Sequence, residues 1–137
     1  MKNKMKWLGV IAFIAVIGLS MFSCDLFGDN FDDLNGDWDR GDIVVTFNNS
    51  NGVFTEIKSN SSVWIPLLNN GTVRIGDRKF RNLSSSGNLR WTGQELVVPA
   101  GSTTSTGWEN TTLTISGQTL RVETVNVTNP VTTYTRR

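Results

Sequence analysis

The chain has 137 residues, with 13 Lys and Arg against 12 Asp and Glu, which gives a formal net charge of +1. A balance this close to neutral provides no field that would attract nucleic acid. The chain contains no histidine and one cysteine, which excludes Ser-His and Cys-His catalytic pairs, histidine-based metal sites and a disulfide within the chain.

The first 23 residues have the pattern of an export signal. Three lysines among the first six residues precede an uncharged apolar run, Trp7 to Phe22. A mature transmembrane helix needs about 20 apolar residues, and this run is shorter and has no basic flank beyond it. The pattern therefore favours a cleaved leader, residues 1–23, over an anchor helix. Cleavage after Ser23 would make Cys24 the new N-terminus.

The segment "LSMFSC", Leu19 to Cys24, resembles the lipobox of bacterial lipoproteins. This resemblance implies that the Cys24 thiol receives a diacylglyceryl group, that the leader is removed and that the new amine is acylated. Ser23 matches the family pattern, whereas positions 21 and 22 differ from the usual Leu and small residue, so ordinary cleavage after Ser20 remains an alternative. Two or three acyl chains hold a protein stably to a membrane. The expected location is the bacterial cell envelope, on the inner or the outer membrane.

Residues 24–37 are acidic and rich in turn-forming residues, without a helical or strand period, and we interpret them as a tether. Removal of the leader lysines leaves ten basic against twelve acidic residues, a formal net charge of −2. An EF-hand frame through this segment would begin at Phe31, where Asp belongs, so we expect no metal here and no cofactor. Residues 38–137 then suit a single domain.

From Trp38 onward the sequence predicts short strands. Ile43–Phe47 alternates apolar and polar residues, a turn cluster follows at positions 48–52, and Val53–Ile57 continues as the partner strand. Val63–Leu68 is apolar throughout, and Pro66 within it predicts an edge strand or a bulge.

Glycines mark the later predicted turns. Gly76-Asp77 and Gly117-Gln118 each separate two apolar runs and resemble two-residue hairpin loops, and Gly93 suggests a weaker third. Residues 99–107 form a low-complexity loop. The last predicted strands are Thr124–Val127 and, after an Asn-Pro turn, the segment that begins at Val131. Eight or nine closely spaced strands predict an all-β domain, either a barrel or a sandwich.

The segment "LNGDWD", Leu34 to Asp39, resembles the Gly-x-Trp signature of lipocalins and their calycin relatives, with Gly36 and Trp38 at the matching positions. The resemblance implies a small antiparallel up-and-down barrel of about eight strands. It also implies that Trp38 closes one end and that an arginine near the last strand, here Arg136, stacks on it. The alternative for Trp38 is a core-edge aromatic in another small β domain.

Large aromatic side chains in a barrel of this size either fill the centre or line a cup for one small ligand. We expect Trp64, Trp91 and Trp108 to lie at the barrel mouth and to contact a small apolar or amphipathic ligand. The predicted protein is a non-catalytic monomer, bound to the membrane through its lipid. The alternative is a surface interaction module, such as an inhibitor or an envelope assembly factor, with a filled barrel.

Two clusters of charged residues are candidate sites. Asp37 and Asp39 have the spacing for a catalytic carboxylate pair, but two solvated aspartates at the end of the tether are favoured. Five basic residues could gather on one face and meet phosphate or carboxylate groups, although the exposed half of alternating strands is favoured. These residues are Arg74, Arg78, Lys79, Arg81 and Arg90.

Overall fold

The computed structural model describes residues 31–137, so Cys24 and the predicted leader lie outside the described residues. Eight antiparallel strands form a closed barrel in which each strand pairs with the next and the last pairs with the first. This confirms the predicted small up-and-down barrel. The strands are β1 (Gly36–Asp39), β2 (Ile43–Asn48), β3 (Asn51–Ile57), β4 (Arg78–Gly87), β5 (Arg90–Val97), β6 (Gly107–Ser116), β7 (Thr119–Thr124) and β8 (Val131–Arg136), with helix α1 (Trp64–Asn69) between β3 and β4.

Two predicted hairpins are confirmed, and backbone conformation explains both. β2 and β3 are joined by a two-residue turn in which Asn49 has φ +53°, and Gly117 has φ +59° in the two-residue loop between β6 and β7. Asparagine and glycine adopt positive φ at lower cost than other residues. Buried and less buried residues alternate from Asn110 to the end of β6 and along β7, so one face of each strand points inward.

The segment predicted as an edge or bulged strand, Val63–Leu68, is instead helical, and the strand prediction was wrong. Trp64 and Leu67 are both buried, which is the three-residue spacing of a helix face. Pro66 is the third helical residue, where a backbone N–H has no acceptor within the helix, so proline costs little there. The Ser61 hydroxyl accepts the Trp64 N–H at 3.1 Å just before the helix.

The predicted hairpin at Gly76-Asp77 was also wrong, because no strand precedes it in this part of the described chain. Gly76 has φ +94° and lies in a turn that leads into β4. Its N–H donates to the Phe54 carbonyl at 2.7 Å, and the Asp77 carbonyl accepts the Phe54 N–H at 2.9 Å. The residues of this turn therefore hydrogen-bond to β3, but they do not form a strand.

Two further strand assignments differ from the sequence expectation. Gly93 lies in the interior of β5, and the chain reverses at Asn88-Leu89, where Leu89 has φ +52°. Residues 125–127 belong to the turn after β7, with Asn126 at φ +57°. In both places a non-glycine residue has a positive φ, and the pattern of glycines in the sequence does not indicate either turn.

The inward side chains pack as one hydrophobic core. The rings of Phe47 and Phe80 are 5.1 Å apart, those of Phe54 and Trp64 are 5.0 Å apart, and Tyr134 meets Phe80 edge to face at 6.2 Å. Trp38 and Trp91 are also fully buried in this cluster. The barrel interior is therefore largely occupied by aromatic and aliphatic side chains.

The alternating strand directions give the barrel two distinct ends. The end that holds the turn before β1 and the three short hairpins is called the closed end. The opposite end, which holds the β1–β2 turn, α1 and the loops at 98–106 and 125–130, is called the mouth. β1 begins at Gly36, and Leu34 before it is fully buried, so the last residues of the predicted tether, 24–37, belong to the barrel.

Candidate ligand site at the mouth of the barrel

Trp38 and Arg136 lie together at the closed end. They are direct partners in the short β1–β8 pairing, and the Arg136 guanidinium carbon is 4.6 Å from the centre of the Trp38 ring. The Trp38 indole N–H donates to the Leu34 carbonyl at 2.8 Å, and Arg136 donates to the Asp33 carbonyl. The turn at residues 31–35 and the last strand are thereby joined across a buried tryptophan.

The three tryptophans expected at the mouth occupy three different places. Trp64 begins α1 and lines a cleft at the mouth. Trp91 is fully buried on β5 opposite Leu113, near the closed end. Trp108 is half-buried on β6, with the Arg81 guanidinium carbon 4.0 Å from its ring centre. The structure therefore does not bring the three rings together.

The mouth cleft has a volume of about 380 Å³. It opens between the start of α1, the end of β5 and the loop before β8. Its apolar lining consists of one indole and four valines, and its polar lining includes two cations and one carboxylate. These lining residues are Val63, Trp64, Val97, Val98, Val127, Arg40, Lys79 and Glu95.

An ion pair lies at this cleft and is removed from water. The Lys79 Nζ is 2.6 Å from the Glu95 Oε1, and the two side chains are 2% and 7% exposed. Lys79 also donates to the Leu96 carbonyl at 2.5 Å. The second Glu95 oxygen accepts from the Thr124 hydroxyl, which lies 2.9 Å from the hydroxyl of Thr111. Each carboxylate oxygen thus has a partner, as a buried charge requires.

Aromatic rings complete the surroundings of the Lys79 ammonium. It lies 4.6 Å from the centre of the Trp64 ring and 5.5 Å from that of Phe80. Burial lowers the pKa of Lys79 to about 8, because desolvation disfavours the charged amine, while Glu95 opposes this shift. Lys79 therefore combines full burial with a position on the lining of a cleft.

A second ion pair borders the same region. Arg40 donates to both Asp42 oxygens at 2.7 Å, and Asp42 also accepts from the Ser61 hydroxyl at 3.0 Å. Burial alone would raise the pKa of Asp42, but its bonds to Arg40 hold it below the usual value. The Arg40 guanidinium carbon is 5.9 Å from the ring centre of Tyr134.

Two buried donors near the mouth have no hydrogen-bond partner within residues 31–137. These are the Trp64 indole nitrogen and the Tyr134 hydroxyl. Desolvation raises the pKa of Tyr134, so its hydroxyl stays protonated. A buried donor without an acceptor costs free energy, and an acceptor on a bound molecule would relieve that cost.

The expectation that the five basic residues lie on the surface is wrong for Lys79. Arg74, Arg78 and Arg90 are exposed as predicted for alternating strands, whereas Lys79 is buried inside the mouth. The cause is a register shift on β3, whose Gly52 and Val53 pair with Phe80 and Arg78 and leave Lys79 unmatched. A β-bulge of this kind redirects a side chain. Sequence alternation carries no sign of it, because Lys79 stands where a solvent-facing residue is expected.

The two candidate carboxylates on β1 make separate outer-surface contacts. Asp39 accepts both bonds from Lys58 at 2.8 and 2.9 Å and lies 3.2 Å from Arg137, whereas Asp37 accepts from the Thr46 hydroxyl at 2.5 Å. The hydrogen bond from Lys58 lowers the pKa of Asp39 below its usual value. Asp39 is therefore held as an anion in an ion-pair network that joins β1, β3 and the C-terminus.

Comparison of the chain with protein-family models, with curated proteins and with solved structures gives no match. Within residues 31–137, no group of three or more His, Cys, Asp or Glu side chains is arranged to hold a metal ion. In the same range, none of the helices has the length and apolar character to cross a bilayer.

Proposed function

We propose that this protein is a lipid-anchored, non-catalytic binding protein of the bacterial cell envelope that takes a small amphipathic molecule into the mouth cleft. The observation that carries the proposal is the composition of that cleft. Its lining combines apolar side chains, Trp64 and four valines, with charged groups that are paired and largely buried. Small-molecule sites commonly combine an apolar lining with a few placed polar groups.

The volume limits the size of the proposed ligand. A cleft of about 380 Å³ lies near the lower end of the range for small-molecule sites, about 300 to 1,000 Å³. The packed core below it, with Trp91 fully buried, leaves the ligand at the mouth. We therefore propose a short apolar chain with one polar group, and of the three tryptophans we assign ligand contact to Trp64.

The polar group of the ligand is proposed to face the floor of the cleft. Lys79 and Glu95 satisfy each other, so the floor is close to neutral and does not favour a strong anion. The Trp64 indole N–H is a buried donor that has no partner among residues 31–137, and a hydroxyl or carbonyl oxygen could accept from it. The valine side chains of the lining would cover the apolar part.

The anchor part of the proposal depends on the sequence pattern around Cys24. Its lipobox-like segment supports lipidation, and residues 24–35 would connect the acyl chains to the closed end of the barrel. The mouth lies at the other end and would face away from the membrane surface. A ligand could then enter without crossing the bilayer.

The test is a fluorescence titration of the purified protein with a panel of fatty alcohols and fatty acids. We expect a saturable change in indole emission, because Trp64 lines the cleft. Val127→Phe would place a larger side chain in the cleft and should weaken binding about tenfold or more. Val131→Phe is the matched control, since Val131 is 44% exposed and does not line the cleft. Equal affinities for the two variants would contradict the assignment of the site.

The alternative function is a surface interaction module. The packed core favours it, because a filled barrel leaves the outer faces and loops as the remaining contact surfaces. A groove of about 510 Å³ crosses the outer faces of β4 to β7 and carries polar side chains such as Asn82, Gln94 and Asn110. Absence of any saturable change across the ligand panel would favour this alternative.

A further inference from the structure

We infer that Lys79 captures small apolar aldehydes in the mouth cleft as a covalent imine. The inference rests on the proposed function, because the aldehyde has to enter the same cleft, and it names the class of ligand. Its basis is a lysine that is 1% exposed and yet contributes to the lining of a cleft of about 380 Å³. The valines of that cleft suit the hydrocarbon part of such a molecule.

The surroundings of Lys79 suit an iminium ion as well as they suit an ammonium ion. Both carry one positive charge at the nitrogen. Glu95, 2.6 Å away, would remain the counter-ion, and the Trp64 ring face at 4.6 Å would still lie beside the cation. Burial adds a second advantage, because an imine that is shielded from water is hydrolysed slowly.

The reaction can be written with the groups that are present. The Lys79 ammonium transfers a proton to the Glu95 carboxylate, and the free amine attacks the aldehyde carbon to form a C–N bond. The carbonyl oxygen takes up one proton from the attacking nitrogen and a second proton returned by Glu95, and it leaves as water when the C–O bond breaks. The sum is ammonium plus aldehyde giving iminium plus water, so no oxidant or reductant is required.

The charged groups that face Lys79 set the pH at which it reacts. Glu95 favours the ammonium form, Asp42 does so more weakly, and Arg40 and burial favour the neutral amine. The pKa of about 8 means that the neutral amine, which is the nucleophile, is already present near neutral pH. An ordinary lysine has a pKa of about 10.4, so its neutral fraction at pH 7 is roughly a hundredfold smaller.

The chain supplies its own control lysine. Within residues 31–137 the lysines are Lys58 and Lys79, and Lys58 is an outer-surface residue paired with Asp39 at 2.8 Å. The full-length protein would be treated with hexanal and sodium cyanoborohydride, which reduces an imine to a stable secondary amine. Peptide mapping by mass spectrometry then measures hexyl modification at each lysine.

We expect Lys79 to be modified at least about tenfold faster than Lys58 at pH 7, allowing for the lower nucleophilicity of a less basic amine. The rate at Lys79 should rise with pH and level off above about 8, where the neutral amine becomes the main form. Val127→Phe should slow modification at Lys79 and leave Lys58 unchanged. Lys79→Arg should abolish the Lys79 signal, and circular dichroism checks that it folds.

Hexanol, which has no carbonyl group, separates this inference from the proposed function. If hexanol gives a saturable fluorescence change and hexanal modifies Lys79 no faster than Lys58, the imine inference is wrong and the binding proposal stands. If modification of Lys79 is preferred but persists at the same rate in Val127→Phe, the reaction does not use the cleft, and the inference is overturned as well.

Discussion

Replacement of Trp38 by alanine tests whether the closed end depends on one buried ring. Trp38 is fully buried, and its indole N–H donates to the Leu34 carbonyl at 2.8 Å. Large-to-small changes of a buried tryptophan cost about 3 to 5 kcal/mol, and an orphaned buried carbonyl adds about 1 kcal/mol. We therefore expect Trp38→Ala to lower the free energy of unfolding by at least about 4 kcal/mol.

Arg136 covers the same ring, and its side chain should contribute less than Trp38 to the free energy of unfolding. Its guanidinium carbon is 4.6 Å from the ring centre, and the residue is half-buried, so the cation–π interaction is worth about 1 kcal/mol. Arg136→Ala also removes the bond to the Asp33 carbonyl. In the double mutant the Arg136 loss should largely disappear, because the ring it covers is gone.

The assay is urea unfolding of the purified protein, followed by far-ultraviolet circular dichroism because the mutation itself changes indole fluorescence. Arg121→Ala is the matched control, since Arg121 forms an exposed ion pair with Glu123 on β7 and should cost less than about 0.5 kcal/mol. A loss of less than about 1.5 kcal/mol for Trp38→Ala would refute the burial argument. Strictly additive losses would show that the Trp38–Arg136 contact carries no energy.

Three further predictions concern other parts of the molecule. Lys79→Met should lower the free energy of unfolding in the same urea assay by about 3 to 5 kcal/mol, because Glu95 would stay buried without a counter-ion. The double variant with Glu95→Leu should regain most of this loss, because the unpaired charge is removed. Gly93→Ala should lower the free energy of unfolding by about 1 to 3 kcal/mol in a thermal unfolding assay, because its Cβ would meet a leucine methyl group at 2.7 Å and a backbone oxygen at 2.8 Å. Gly87→Ala is the control, since a Cβ there would meet open space, and it should cost less than about 1 kcal/mol. Cys24→Ala should abolish incorporation of labelled palmitate and release the protein from membranes, and persistent labelling would disprove lipidation at this residue.

Local patterns in the sequence were sufficient for an all-β domain and several of its turns, and the resemblance to lipocalins implied the closed barrel. The alternation along β6 and β7 and the positive φ of Gly117 depend on residues that are adjacent in the chain, so they can be recognised without the tertiary structure. The same holds for the Gly-x-Trp segment at Trp38. The closed end, with Arg136 over the Trp38 ring, is what the resemblance of this segment to the lipocalin signature implies, and the contact itself joins residues that are far apart in the sequence.

The mouth could not be predicted in this way, because its geometry depends on contacts between distant segments. An apolar run that contains Pro66 is compatible with an edge strand and with a short helix, and packing of Trp64 on Phe54 accompanies the helix. Lys79 lies inside because a register shift against β3 turns it away from solvent, and it is stabilised there by Glu95 from a different strand. A charged side chain can be buried only when a partner reaches it in the folded barrel. The tertiary structure alone therefore decides that Lys79, which the sequence places at the surface, is buried in the cleft.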